Sequence, residues 1–473
     1  MAWRPLVRSR LASALAAAAL FAPVTHAPVH AAPVAPGFTS PNVEWVAQIP
    51  DAGAIGAKFI VGPFGKATYL YTTGAKGLAI YDVHNPTVPV PLGRLALPHF
   101  ENEDVDGNDD VAVVSTSPGG QIFVIDVRNK LAPTLALSLQ ADDDDAHTSN
   151  CVDGCARWFY STEGRHLKAV DLQAALKGDG AAIHQINYDQ YVGAVHDVDQ
   201  DAAGVVWMTG SRGGAGYAIH PMTTGVSARL RAKTRNASPT HPVNITNMFI
   251  NGRNTGRGPE VNDFILHNSK RPIDATYVQH KGAPRIAKGG VFLTTEEDYI
   301  GDTSPTRDCS GAGRFHTWDA TGSVENGTPL RRLDTFELSQ GTLDPVKGDK
   351  QLGDVFCGAH WFTVRDNVVA IGMYGAGTRF LDVSDPRDIR QVGFWFTADQ
   401  ETWAAYWVPG SDGVVYTADV ERGFDILRFT KPKAGTTYMA PAPVRTKGAH
   451  LRFDVRPREE SAFGYACLLA VPR

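Results

Sequence analysis

TTGAKGLAIYDV, residues 72–83, is a polar Gly-containing turn followed by an apolar strand that ends on a hydrophobic-Asp pair. The pattern returns as STSPGGQIFVIDV at 115–127, STEGRHLKAVDL at 161–172, MTGSRGGAGYAIH at 208–220 and TTEED at 294–298 with GAGRFHTWDA at 311–320. It returns again as GMYGAGTRFLDV at 372–383 and TADVERGFDILRF at 417–429. Turn signals alternating with short β-branched or aromatic runs describe a repeat built of strands, not helices. Seven copies predict an all-β fold: a seven-bladed β-propeller with four-stranded antiparallel blades. Each unit reads as an inner strand, a tight turn, a second strand, the Gly-rich turn, a third strand and an outer fourth strand.

Two stretches interrupt the pattern. Residues 235–259 read as a Gly/Asn/Pro-rich loop inserted before the fifth blade, and residues 298–313 lengthen a turn within it. The ends of the array also carry information. Val43 to Gln48 has strand composition with no strand before it, so it is assigned as the outer strand of the seventh blade, paired with the third strand around Phe424 to Phe429. Closure of this kind removes the exposed sheet edge that an open row of blades would leave. The propeller is therefore expected over residues 43–430, closed by the N-terminal strand, with a C-terminal extension at 431–473 packed on it.

Composition sets the class and the compartment. The chain has 473 residues, 43% of them hydrophobic and 20% charged, with a net charge of −5. No basic surface argues for nucleic acid. Arg4, Arg8 and Arg10 precede an apolar run from Leu11 to Ala22, and Val29-His30-Ala31 offers a small-residue cleavage site. Residues 1–31 thus read as a secretory signal peptide and 32–42 as a linker. No later stretch is apolar enough over the length needed to cross a bilayer. The expected product is secreted or envelope-associated, monomeric, and without a transmembrane segment.

Five cysteines suit that compartment. Cys151 and Cys155 flank a predicted hairpin turn where a local bridge is plausible, with a half-formed metal site as the alternative. Cys309 and Cys357 fall where adjoining blades meet at one rim and are expected to bridge. Cys467 has no obvious partner.

LAIYDVHNPTVP (78–89), IFVIDVRNKLAP (122–133) and TRFLDVSDPRDIRQVG (378–393) resemble the LVIVD repeat of secreted bacterial and archaeal proteins, with the apolar run, the Asp-Val step and the Asn/Asp-Pro turn in order. Residues 354–386, ETWAAYWVP (401–409) and NDFILHNSKRP (262–272) resemble actinobacterial members of that group. The fourth and fifth copies depart from it, with AIHP and TWDA in place of the Asp-Val step. The resemblance implies a propeller at the cell surface or outside the cell and no defined reaction.

In a propeller the starts of the inner strands and the ends of the second strands share one rim. At the starts stand Glu101, Asn102, Glu103, His147, His196, Asp197, Asn262, Asp263, His267, His360, Glu401 and Trp403; at the ends stand Glu163, Glu296, Glu297, Asp298 and Tyr374. His147, His196 and His360 share nearly one register in three blades. Neutral imidazoles beside carboxylates suit a divalent transition metal such as copper, zinc, iron or manganese. His147, His196, His360, Glu163, Glu296 and Glu297 are therefore the candidate metal ligands. Glu103, Asp197, His267, Tyr374 and Trp403 are the candidate ligand-binding residues. The alternative is that these polar groups hydrogen-bond adjacent blades together.

Other motifs point elsewhere or nowhere. DVDGNDD (104–110) has its Gly too early for a calcium loop and reads as a turn. The run Asp142 to Asp145 reads as a solvated acidic loop. GxSxG, Walker, dinucleotide and HExxH signatures are missing. Two functional classes stay open: a scaffold that binds a ligand or envelope protein, with or without a metal at the channel mouth, and a metal-dependent hydrolase or oxidoreductase.

Overall fold

The structure is a computed structural model. It describes residues 38–438 except 52, 99–103, 117–119, 141–145, 164–165, 180–182, 188–191, 193–194, 211–212, 249–264, 298–312, 339–357 and 398–399. The expected Cys309–Cys357 bridge, Cys467, Glu103 and the Asp142–Asp145 run fall outside those residues.

Seven antiparallel sheets form the ring. The first blade is Ala54–Val61, Ala67–Gly74, Leu78–Asp82 and Val90–Leu95; the second is Asp104–Gly107, Val111–Ser115, Gln121–Asp126 and Thr134–Gln140. The third is Ser149–Val152, Trp158–Glu163, His166–Asp171 and Ile183–Asn187; the fourth is Val195–Gln200, Val205–Gly210, Gly213–Ala218 and Val243–Asn247. The fifth is Ile265–Lys270, Val291–Glu297, Phe315–Asp319 and Arg331–Phe336; the sixth is Phe362–Arg365, Val368–Gly372, Thr378–Asp382 and Arg390–Phe396. The seventh takes Thr402–Trp407, Val414–Asp419 and Gly423–Phe429 from the end of the chain and Val43–Ile49 from its start.

That last pairing is the predicted closure, with Val43 opposite Phe429 and Ile49 opposite Phe424. Side chains reinforce it: Trp45 Nε1 donates to Asp425 Oδ1 at 2.8 Å, and Asn42 Nδ2 reaches the carbonyls of Val392 and Thr430, each at 2.9 Å. One element was not anticipated. Phe38–Thr39, inside the segment read as a linker, pairs with Phe396 and Trp395 and gives the sixth blade a fifth strand. Its two side chains carry no alternating pattern from which a strand is legible.

The repeat's hydrophobic-Asp pair now has a cause. Asp82, Asp126, Asp319 and Asp382 each end a third strand and accept the backbone N–H two residues on, at 2.9, 3.1, 2.9 and 2.8 Å. Each makes an Asx-turn that stops the strand and starts the loop to the outer strand. Asp171 does the same for Gln173 and Ala174 and so caps the short helix Leu172–Ala175. Asp425 differs: it lies inside its strand and holds Trp45 and Arg422. In the fourth blade, where the Asp is missing, the chain leaves through Ile219 into the helix Ala228–Lys233, capped by Ser227. The 235–259 stretch is not wholly a loop, because Val243–Asn247 within it is the outer strand of that blade. The short alternating run VNITN was hidden by its Pro and Asn neighbours.

The apolar core lies between blades. Phe59, Leu70 and Tyr81 of the first blade pack on Tyr406, Tyr416 and Ile426 of the seventh, and Trp207 of the fourth meets Phe292 of the fifth with ring centroids 4.5 Å apart. Aromatic contacts of this sort give each blade pair a large buried apolar area. The axis is thereby left to polar side chains.

Candidate metal centre at the propeller hub

The first residues of the inner strands stand side by side around the axis. Hydroxyls of one blade accept this spacing by donating to the histidine carbonyls of the next: Ser115 to His147 at 3.0 Å, Thr148 to His196, and Thr209 to His267 at 3.4 Å. The result is an arc of four imidazoles from four consecutive blades. Ring centroids are 4.5 Å apart for His147–His196, 4.2 Å for His196–His267 and 3.9 Å for His267–His360. His267, read from sequence as a ligand contact, is at the middle of this arc.

A carboxylate closes the group. Glu297 Oε2 is 3.7 Å from His267 Nε2, and Glu297 Oε1 is 3.8 Å from His360 Nε2. One donor atom from each of His196, His267 and Glu297 lies within 4.8 Å of the others. His147, His196, His267, His360 and Glu297 are all buried, none more than 6% exposed.

Tautomers follow from the partners. His196 Nδ1 lies 3.2 Å from the carbonyl of His267, and His360 Nδ1 lies 2.7 Å from that of Trp403. A carbonyl only accepts, so both rings carry the proton on Nδ1 and a lone pair on Nε2. A backbone acceptor on the far nitrogen is the usual support of a metal-binding imidazole. Burial depresses all four histidines, to about 4 for His147 and about 3 for His360. His196 and His267 fall well below the ordinary value, through burial first and neighbouring imidazoles second. All four are neutral near pH 7, the state a metal requires.

The remaining candidates divide between this group and the walls. Tyr374 donates its hydroxyl to Glu297 Oε1 and packs edge-on against Trp403, centroids 5.9 Å apart; Trp403 also meets the His360 ring at 4.9 Å. Trp403 Nε1 donates to Glu401 at 2.9 Å, and burial pushes the Glu401 carboxyl up to about 8. Glu296 points away, as adjacent strand residues must. It binds Arg314 Nε at 2.8 Å and His316 Nε2 at 2.9 Å. Asp197 joins blades, its Oδ2 accepting from Asn268 Nδ2 and the Ser269 N–H, both at 3.2 Å. Glu163 ends the second strand of the third blade opposite His166.

Asp104 and Asp106 of DVDGNDD belong to an inner strand; the turn begins at Asn108, whose Oδ1 accepts the N–H groups of Asp110 and Val111. Asp104 takes the Ser149 N–H at 3.1 Å and Asp106 the Cys151 N–H at 2.9 Å. Sequence reading did not find two lysine–aspartate pairs between inner strands. Lys58 meets Asp106 at 2.6 Å, and Lys270 meets Asp199. Their signal is one lysine on each of two inner strands, legible only after the blades are in register. The Cys151–Cys155 disulfide forms across the turn as expected, with Cα atoms 4.7 Å apart.

No family model matches the chain, and no curated protein matches it. Among solved structures it is similar to the β-propeller domain of Cps50 (Swd1) from Myceliophteria thermophila, at 9% identity and a TM-score of 0.49, over 81% of this chain and 99% of that one. None of the described helices is long and apolar enough to cross a membrane.

Proposed function

We propose that this chain is a secreted propeller of the LVIVD type, a binding scaffold whose hub holds one transition-metal ion. The observation that carries the reading is His267. Among the described residues both of its ring nitrogens are buried without a hydrogen-bond partner, between two other histidines and within 4 Å of a carboxylate. A buried imidazole left so is costly unless a further group engages it. His196, His267 and Glu297 would hold the ion, with His360 and His147 flanking them. Nitrogen-rich ligation with one carboxylate suits copper, zinc or iron over the harder cations. The Cys151–Cys155 bridge agrees with an oxidising compartment.

Burial of every donor favours a closed, ion-holding centre over one with an open catalytic position. The enzymatic alternative draws on Tyr374 and Glu401, two protic groups beside the hub. Elemental analysis of the purified protein tests the reading. Close to one equivalent of copper, zinc or iron is expected, lost in His267→Ala and Glu297→Gln and kept in Glu296→Gln. Folded protein that is metal-free as purified and takes up none of these ions on titration would overturn it.

A further inference from the structure

Among the described residues Arg379 is the most buried cation away from the hub, only 1% exposed on the third strand of the sixth blade. Its cross-strand neighbour is Phe394, and its guanidinium lies 5.7 Å from the Phe394 ring and 5.3 Å from the Phe396 ring. Phe38 of the added N-terminal strand stacks on Phe396 at 4.9 Å, so aromatic rings wall this spot from the outer side. Among the described residues the guanidinium makes no ion pair, and its Nε and Nη1 have no hydrogen-bond partner. Arg314, by contrast, is paired with Glu296, Arg271 with Asp201 and Lys270 with Asp199.

An arginine keeps its proton under ordinary conditions, so discharging the group is no escape from the cost of burial. Ring faces offset part of that cost but cannot accept its in-plane N–H groups. What a planar guanidinium binds best is an oxyanion. We propose that Arg379 is the cationic wall of an oxyanion site in the sixth blade, taking the carboxylate or phosphate group of a small ligand against Phe394 and Phe396. The site is independent of the metal reading, since it stands on the third and fourth strands and not at the hub.

The test uses the purified protein, with acetate and inorganic phosphate as separate probes against chloride at matched ionic strength. Calorimetric titration and the thermal midpoint are read for the wild type, Arg379→Met and Arg379→Lys. The wild type is expected to bind one probe and gain several degrees. Arg379→Met, which keeps the bulk and removes the charge, is expected to weaken binding at least tenfold and to melt no lower than the wild type in chloride. Arg379→Lys, which keeps the charge and loses the planar fork, is expected to fall between them and carries the comparison if the methionine variant does not fold. Response to acetate alone assigns a carboxylate ligand, and response to phosphate alone a phosphorylated one. A wild type indifferent to both probes, or an Arg379 variant that responds as strongly as the wild type, overturns the proposal.

Discussion

Asp104, Asp419 and Glu401 are buried acids whose folded-state pKa values rise to about 7, 7 and 8, through burial first. In the unfolded chain such groups titrate near ~4. The sign is therefore fixed. Their contribution to stability is full below ~4 and is lost as pH rises through 7 to 8, because the unfolded chain ionises first. Asp419→Asn keeps the side-chain oxygen that accepts the Glu421 and Arg422 N–H groups and removes the titration. Its thermal midpoint is expected to decline less than that of the wild type between pH 5 and pH 8, as scanning calorimetry would show; parallel profiles would refute the assignment. A second prediction at this scale concerns Gly423. It has φ +93°, and a Cβ there would lie 2.2 Å from the Ile49 carbonyl oxygen. Gly423→Ala is expected to cost about 1–3 kcal/mol in urea unfolding.

Among elements, the strand pair at the N-terminus does the work of closure. Deleting residues 38–49 leaves the seventh blade with three strands and an unpaired edge, and removes Trp45 from Asp425. Edges of this kind recruit other chains. Light scattering of the deletion variant is expected to show oligomers or aggregate where the wild type is dispersed; a well-folded monomer would show that closure is dispensable. The disulfide turn makes a smaller claim. Asp153, Gly154 and Cys155 have φ of 53°, 67° and 61°, a left-handed run held across its ends by the Cys151–Cys155 bridge. So short a loop limits the entropic gain to ~2 kcal/mol. Cys151→Ser with Cys155→Ser is expected to lower stability by no more than that and to admit proteolysis at Gly154, while the fold stays intact.

At the scale of the whole molecule, what was legible depended on whether a signal recurs. The Asp-ended strands recur, so the ring, its blade count and its closure by the strand read at Val43 to Gln48 follow from the chain alone. His147, His196 and His360 recur in register, so their convergence followed as well. Glu296 and Glu297 looked alike because their division between the Arg314–His316 wall and the hub is set by which face of the sheet each side chain takes. His267 was visible as a rim residue, yet its place at the centre depends on contacts from the blades on either side. Arg379 sat inside a repeat motif, where nothing marks an arginine without an acid. Burial and bonding partners are three-dimensional facts, and a linear pattern carries them only when repetition makes up for the lost geometry.

The imidazole arc has a mechanical corollary. Each ring belongs to a different sector, and successive sectors are tied at that radius by hydroxyl-to-carbonyl bonds such as Ser115 to His147. An ion gripped by His196 of the fourth blade and by His267 and Glu297 of the fifth would act as a rivet at the axle, since parting those two sectors would cost it a ligand. Chelation should then slow the opening of the wheel far more than it alters any single blade, and the slowest-exchanging amides should be those nearest the pivot.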